Sequence, residues 1–272
     1  MPLLQQSDVR NKLLRALPPE DFASLQPALR AEQMLLRQVV IPPHTAIQAA
    51  YFPEEGFISI TLDGENGRVE VGIVGREGVV GVGPILLGDD RSPHTHFVQM
   101  AGRMLVIDAD ALRTAVERHP ALRRLLHRYI QIQYVQTAQT AFANARGNTA
   151  TRLARWLLMC HDRVEGDQIT VTQDFMSFML GVERPGVTAA LRSLEKDGLV
   201  RMGLPRFGGS CSLCVDGGGL TRAGDRLNGP PHRARHAYSL RHPRVPHRAR
   251  HRAGSGPHRH PDATARNEQS VS

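Results

Sequence analysis

Three kinds of apolar spacing follow one another along the chain. Residues 8–30 place Leu13, Leu14 and Leu17 on one face of short helical stretches that Pro18 and Pro19 interrupt. From about residue 34 to 107 the spacing is that of short β-strands: LLRQVVIP, AAYFP, GFISITL, RVEVGIVG, HFVQM and RMLVI, punctuated by Gly, Pro or Asp-Gly. Such evenly spaced strands predict an all-β sandwich or barrel of jelly-roll type. After Asp108 the helical period returns. Asp108 or Asp110 is placed to cap ADALRTAVERH, and Pro120 restarts the chain as PALRRLLHRYIQIQYVQTAQTAFANA. That helix is about 25 residues and nearly 40 Å long at 1.5 Å per residue, more than a small domain needs. Its Leu122, Leu125, Tyr129, Ile132, Gln136, Gln139 and Ala143 recur at intervals of three and four. The spacing fits a coiled-coil seam between two copies, or an edge buried on the helix's own β domain.

Arg146-Gly147-Asn148 breaks the pattern and reads as a hinge. A compact second unit follows: a helix over 149–162, a turn at Glu165-Gly166-Asp167, a short strand ITV, and two helices in TQDFMSFMLGVERPGVTAALRSLEKDG. Thr172 is a good N-cap, Asp174 complements the helix dipole, and Phe175, Phe178 and Met179 form an apolar stripe. Gly181 supplies the turn. In the second helix Val187, Leu191 and Leu194 share one face, while Arg184, Thr188 and Arg192 fall at i, i+4 and i+8 on the other. Two helices joined by a short glycine turn, the second with a cationic face, predict a helix-turn-helix whose second helix enters the DNA major groove. Proline disfavours the helical region for the residue before it, so Pro185 is expected at the first helical position with Arg184 as its cap. Arg184 then projects at the helix tip, where a guanidinium forks onto guanine or meets a phosphate.

Charge changes the picture little. The net charge is +8 over 272 residues, but residues 1–200 hold 21 Lys+Arg against 22 Asp+Glu, and residues 201–272 hold 13 Arg against 4 acids. The basic excess belongs to the C-terminal tract and is not an electrostatic footprint of the domains. Cys160 sits in an apolar helical run as a buried thiol, and Cys211-x-x-Cys214 has no second pair or nearby His to complete a zinc set. No run of about 18 apolar residues and no secretory signal is present, so a cytoplasmic location without a membrane role is expected. No nucleophile–base pair or metal set stands out, so neither an enzyme nor a cofactor is expected.

Gly181-Val182, Arg184, Val187, Leu191, Leu194-Glu195 and Gly198-Leu199 carry a resemblance to the Crp/Fnr family of bacterial transcription regulators. The order of β barrel, long helix and helix-turn-helix over about 1–200 is similar throughout. The resemblance implies that the position of Arg184 reads a base and those of Thr172 and Gln173 meet phosphates. Pro185 and Ala189 replace two residues of the family's DNA contacts, which implies a different operator. It also implies a homodimer on double-stranded DNA with a palindromic operator, a small-molecule effector, and RNA polymerase as a partner. In the stretch comparable to the family's cyclic-nucleotide cassette, Gly81, Arg91 and Ser92 are the candidate ligand residues, but Val82 stands where a ribose-binding glutamate belongs. Cyclic AMP is therefore disfavoured. No cysteine precedes Cys160, which speaks against an iron–sulfur sensor. His44, His94 and His96 are the histidines a haem sensor would draw on, but single histidines are read as surface residues.

After Val200 a winged helix should continue with two strands. RMGLPRFGGSCSLCVDGGG shows no alternation, and PHRARH occurs at both 231–236 and 246–251 in a tract with 7 His and no Lys. The expectation is a basic, disordered tail, read best as an out-of-frame translation of a GC-rich gene, with a metal-binding or nucleic-acid arm as the alternatives. The whole is then α+β: a jelly-roll sensor at 1–118, a dimerisation helix at 119–146, a winged-helix-type helix-turn-helix at 147–202 and an irregular tail at 203–272. The expected function is effector-coupled regulation of transcription. The alternative is a cyclic-nucleotide-type ligand-binding protein with impaired DNA binding for want of a wing.

Overall fold

Two antiparallel sheets bury their apolar faces against each other. The computed structural model describes residues 4–65, 67–203 and 210–220. β1 (Arg30–Met34), β7 (Gly102–Asp108) and β3 (Ala49–Pro53) form one antiparallel sheet, in the order β1-β7-β3. β2 (Val39–Ile41), β6 (Thr95–Met100), β4 (Phe57–Gly64) and β5 (Gly67–Val74) form the other, in the order β2-β6-β4-β5. Between them lie Phe52, Ile58, Val98, Met104, Leu105 and Ile107.

α1 (Lys12–Arg15) and α2 (Pro19–Leu25) close one end, with Leu13, Leu14 and Leu17 buried as the sequence predicts. Asn11 caps α1 by accepting from the Leu13 and Leu14 amides, and Glu54 accepts from the Arg10 and Asn11 amides. Three expectations fail here. LLRQ is not strand but a turn with Arg37 at φ 67, and β1 begins at Arg30, ahead of the expected start of the strands at about residue 34. Gly81, at φ 87, opens a helix, α3 (Val82–Leu87), within the 34–107 stretch expected to hold only strands and turns. Asp108 precedes α4 (Ala109–Arg118) without capping it, because its carboxylate accepts from Arg30 instead (3.0 Å).

α5 (Pro120–Arg146) uses part of the expected stripe against its own barrel. Leu122, Leu126, Tyr129, Gln136 and Ala143 are buried, whereas Leu125, Ile132 and Gln139 of the expected seam are only half-buried. Gln136 of the expected seam has a partner on the barrel: its Oε1 accepts from the Ile73 amide of β5 (3.2 Å). The Tyr129 ring lies so close to Gly78 that a Cβ there would sit 2.1 Å from the hydroxyl. Tyr134, Val135 and Phe142 are exposed elsewhere on α5.

The hinge falls where the sequence puts it. Gly147 is extended, and a Cβ there would meet the Ala143 carbonyl oxygen at 2.6 Å. Asn148 then caps α6 (Thr149–His161) by accepting from the Thr151 amide (2.9 Å). β8 (Gln168–Thr172), α7 (Gln173–Leu180) and α8 (Arg184–Lys196) follow, with Gly181 in the left-handed region at φ 59 ending α7. The missing wing is overturned. β9 (Val200–Met202) and β10 (Ser210–Val215) pair antiparallel and join β8 in the order β8-β10-β9. Leu213 and Val215 are buried at a spacing of two, the alternation that glycines and cysteines disguised. The expected irregular tail thus includes a strand, and its residues 221–272, both PHRARH repeats among them, lie outside the described residues. No helix among the described residues is long and apolar enough to cross a membrane.

Candidate functional site

α6, α7 and α8 hold their angle through Leu153, Leu157, Met176, Val187, Leu191 and Leu194, all buried on one core. That core fixes which side of α8 faces outward. Thr172 caps α7, its hydroxyl accepting from the Phe175 amide (3.0 Å). Gln173, in the first turn, reaches across to α8: the Thr188 hydroxyl donates to its Oε1 (2.7 Å). Arg184 is 64% exposed and lies 3.4 Å from Asp174 of α7. The Gln173, Thr188, Arg184 and Asp174 side chains thus gather where the two helices meet, and Arg192 is exposed two turns further along α8.

The proline is placed one residue from its expected position. Glu183 is the N-cap, Arg184 already has helical geometry, and Pro185 takes the second helical place. The first amides to find helical partners are those of Gly186 and Val187, both donating to the Glu183 carbonyl, so the missing proline N–H leaves nothing unsatisfied. Gly186 lies in open space, the nearest contact of a Cβ there being the Thr149 methyl at 4.0 Å. Close approach to this chain's own backbone therefore does not explain it.

In the barrel the candidate ligand residues part company. Gly81 turns the chain against the Ala49 carbonyl. Arg91 is exposed, its guanidinium on Asp90 (3.3 Å) and on the His44 carbonyl (3.2 Å). Ser92 is buried, with its hydroxyl 2.9 Å from His94 Nδ1. Val82, which stands at the expected ribose position, is fully buried in the core. The expectation of surface histidines fails for His96, which burial first and His94 second hold at a pKa of about 4, a neutral ring at pH 7. His94 is lowered by burial too, and His96 Nδ1 has no hydrogen-bond partner among the described residues. Cys160 is buried, and burial raises its thiol well above the usual range. Among the described residues no group of three or more His, Cys, Asp or Glu is arranged to hold a metal ion.

Sequence reasoning missed the contact between the two halves. β4, β5 and β6 turn their outer face to the helix-turn-helix, and Phe57, Ile73 and Phe97 enter the same core as Trp156, Met176 and Leu180. Glu70 of β5 is wholly buried there, accepting from the Trp156 indole N–H (2.9 Å) and paired with the Ser59 hydroxyl. Arg163, just past the end of α6, meets Glu77 (2.6 Å) and donates to the Ile73 carbonyl (3.2 Å). Burial works against the arginine's charge and Glu77 more than offsets it, so its pKa is raised. Arg68 of β5 lies over the Phe178 ring, 5.4 Å from its centre. A lone glutamate in an alternating strand reads as solvent-facing, so nothing local in the sequence marks this contact.

Residues 151–207 match the family model of the Crp-like helix-turn-helix domain. That match places a Crp-like helix-turn-helix domain in the C-terminal half of the chain. The chain is similar to the HTH-type transcriptional regulator Cmr of Mycobacterium tuberculosis (strain CDC 1551 / Oshkosh), at 24% identity over 186 residues, 68% of this chain and 74% of that protein. Its fold is that of FixK2 from Bradyrhizobium japonicum, with a TM-score of 0.60 at 13% identity, covering 74% of this chain and 98% of that one. A CRP/FNR-family transcriptional regulator from Thermus thermophilus aligns with a TM-score of 0.57 at 17% identity, covering 73% and 100%. A Crp-like helix-turn-helix behind a β-rich sensor domain makes the chain a DNA-binding transcription regulator.

Proposed function

We propose that the chain acts in the cytoplasm as a homodimer that reads a palindromic operator through α8, with Arg184 as the base-reading residue. The supporting observation is the cluster where α7 meets α8: an exposed guanidinium at the mouth of α8 beside a Gln173–Thr188 pair that fixes the helix angle. Arg184 exchanges Asp174 for a guanine edge on binding, and a bidentate fork of that kind discriminates by about 1–3 kcal/mol. Thr172 and Gln173 at the start of α7 meet backbone phosphates, and Thr188 acts mainly by holding Gln173. Arg192 extends the contact along the groove. Tyr134, Val135 and Phe142 on the open side of α5 supply the dimer seam, which sets the two recognition helices about 34 Å apart.

The division is a sensor at 1–118, a dimer helix at 119–146 and the DNA-binding domain from 147, with the wing carrying the last beyond 202. The effector is a small molecule held in the barrel, and with Val82 buried where an acceptor would be needed it is not bound through a ribose glutamate. RNA polymerase is the partner at an activated promoter. A sensor with impaired DNA binding, the alternative, rested on an absent wing and loses that support with β9 and β10 in place.

A mobility-shift titration on the gene's own upstream DNA tests this. The wild-type chain should prefer that sequence over unrelated duplex. Arg184→Ala should lose roughly tenfold or more of the preference while leaving non-specific binding in place. Unchanged selectivity removes Arg184 from base readout.

A further inference from the structure

We propose that Glu70 is a proton-operated latch that holds the helix-turn-helix domain against the sensor sheet when its carboxyl is protonated and lets it go when the carboxyl ionises. The two halves meet over β4 and β5, and Glu70 hydrogen-bonds to both: Ser59 belongs to β4, and Trp156 to α6. Ser59 Oγ lies within reach of two groups, Glu70 Oε2 and Met179 Sδ of α7 (3.7 Å). One hydroxyl proton cannot serve both. With Glu70 ionised, Ser59 donates to Oε2 and Trp156 to Oε1. A proton on Oε2 lets the carboxyl donate to Ser59 and Ser59 to Met179, so the protonated form adds a bond across the seam.

The groups facing Glu70 leave it the proton-sensitive member. Arg155 on α6 and Arg163 just beyond it favour the carboxylate but do so through space, and Arg163 is committed to Glu77. Cys160, also on α6, stays a thiol because burial and the Glu70 charge both raise it. α7 contributes Met179 and Leu180, which carry no charge. α5 offers Thr140 and Asn144 across a cavity of about 20 Å3. Arg152, beside that cavity, is taken up by Asn144 (3.0 Å) and by the Leu180 carbonyl. Burial raises the Glu70 carboxyl to a pKa of about 8, against which the Ser59 and Trp156 hydrogen bonds and the two arginines act only in part. Exposed by undocking, it returns to the ordinary 4.5. The docked form therefore holds more protons than the open one between those values. Docking is strongest below pH 4.5, falls up to tenfold per pH unit as pH rises, and is weakest above pH 8.

The chain contains a single tryptophan, and it is the latch partner. Its emission in the full-length protein, read with acrylamide quenching from pH 6.5 to 9, reports the contact directly. We expect shielded emission at pH 6.5, moving to longer wavelength with several-fold greater quenching as pH rises to about 8, and levelling above it. Glu70→Gln keeps an acceptor for Trp156 and a partner for Ser59 without a titrating group, and its emission should not move over that range. A wild-type profile that is flat, or a transition that survives in Glu70→Gln, overturns the proposal. Hydrogen exchange on the unmodified chain gives a second reading should Glu70→Gln fail to fold. Segments 57–62, 69–73 and 176–181 should gain exchange between pH 6.5 and about 8 beyond the intrinsic base-catalysed rise, while 104–107 in the barrel core does not. Parallel gain in all four, or in none, overturns it equally.

Discussion

At Gly186 an alanine finds open space, and the backbone lies within a helix whose first turn is already set by Glu183. Gly186→Ala should raise stability by about 0.5–1 kcal/mol, the helix-propensity difference, measurable as an upward shift in the denaturant midpoint. If operator affinity falls in the same variant, the glycine serves a close approach to DNA. His96 carries a pH dependence of the opposite hand to that of Glu70. Its pKa drops from 6.5 in the open chain to about 4 when folded, so the unfolded state binds more protons between these values. Stability should therefore fall as pH drops from 6.5 towards 4, by on the order of 3 kcal/mol in all. His96→Phe should flatten that limb of an acid-denaturation curve; a limb of unchanged steepness would assign it to carboxylates elsewhere. The cap at Thr172 was legible because it obeys a local rule. The burial of His96 and Glu70 was not, because alternation in a strand says that two faces differ and not what covers either one.

At the scale of elements, α5 is buried along one face and open along another. The face bearing Leu122, Tyr129 and Gln136 is taken by the barrel, and the proposed dimer seam falls on the exposed Tyr134 and Phe142. Tyr134→Glu with Phe142→Glu should shift the chain towards monomer in sedimentation while leaving its circular dichroism unchanged. Persistence of the dimer would place the seam elsewhere. The long helix and the hinge were readable from periodicity and from Gly147. Which residues met which partner was not, since a stripe at intervals of three and four is the same for a barrel and for a twin helix. The wing escaped notice for a different reason. β10 buries Leu213 and Val215 beside small and polar neighbours that blur the alternation, and β9, at three residues, is too short to show any. Gly81 misled in the other direction, opening a helix of six residues where neighbouring glycines pointed to loop.

For the whole molecule the Arg163–Glu77 pair matters as much as any apolar contact, because it ties the end of α6 to the residues following β5. Arg163 is buried, and removing its partner strands the charge, so Glu77→Ala should cost about 3–5 kcal/mol of stability. A loss under about 1 kcal/mol in thermal or denaturant unfolding would show that water compensates the arginine. The slopes from Glu70 and His96 oppose each other between about pH 4.5 and 6.5, so the latch is seen cleanly only above that range. The contact over β4 and β5 also bears on modularity. Family resemblance invites the view that sensors and readers are interchangeable parts, to be recombined by cutting at the hinge. Here Trp156, Met179 and Leu180 complete their core with Phe57, Ile73 and Phe97 from the other side of that cut. A reader grafted onto a foreign barrel would carry an uncovered apolar patch and a stranded arginine, and a sensor freed of its reader would show water a buried acid. The two halves of this chain have been fitted as a pair, and a chimaera would have to redesign the seam before it could inherit either function.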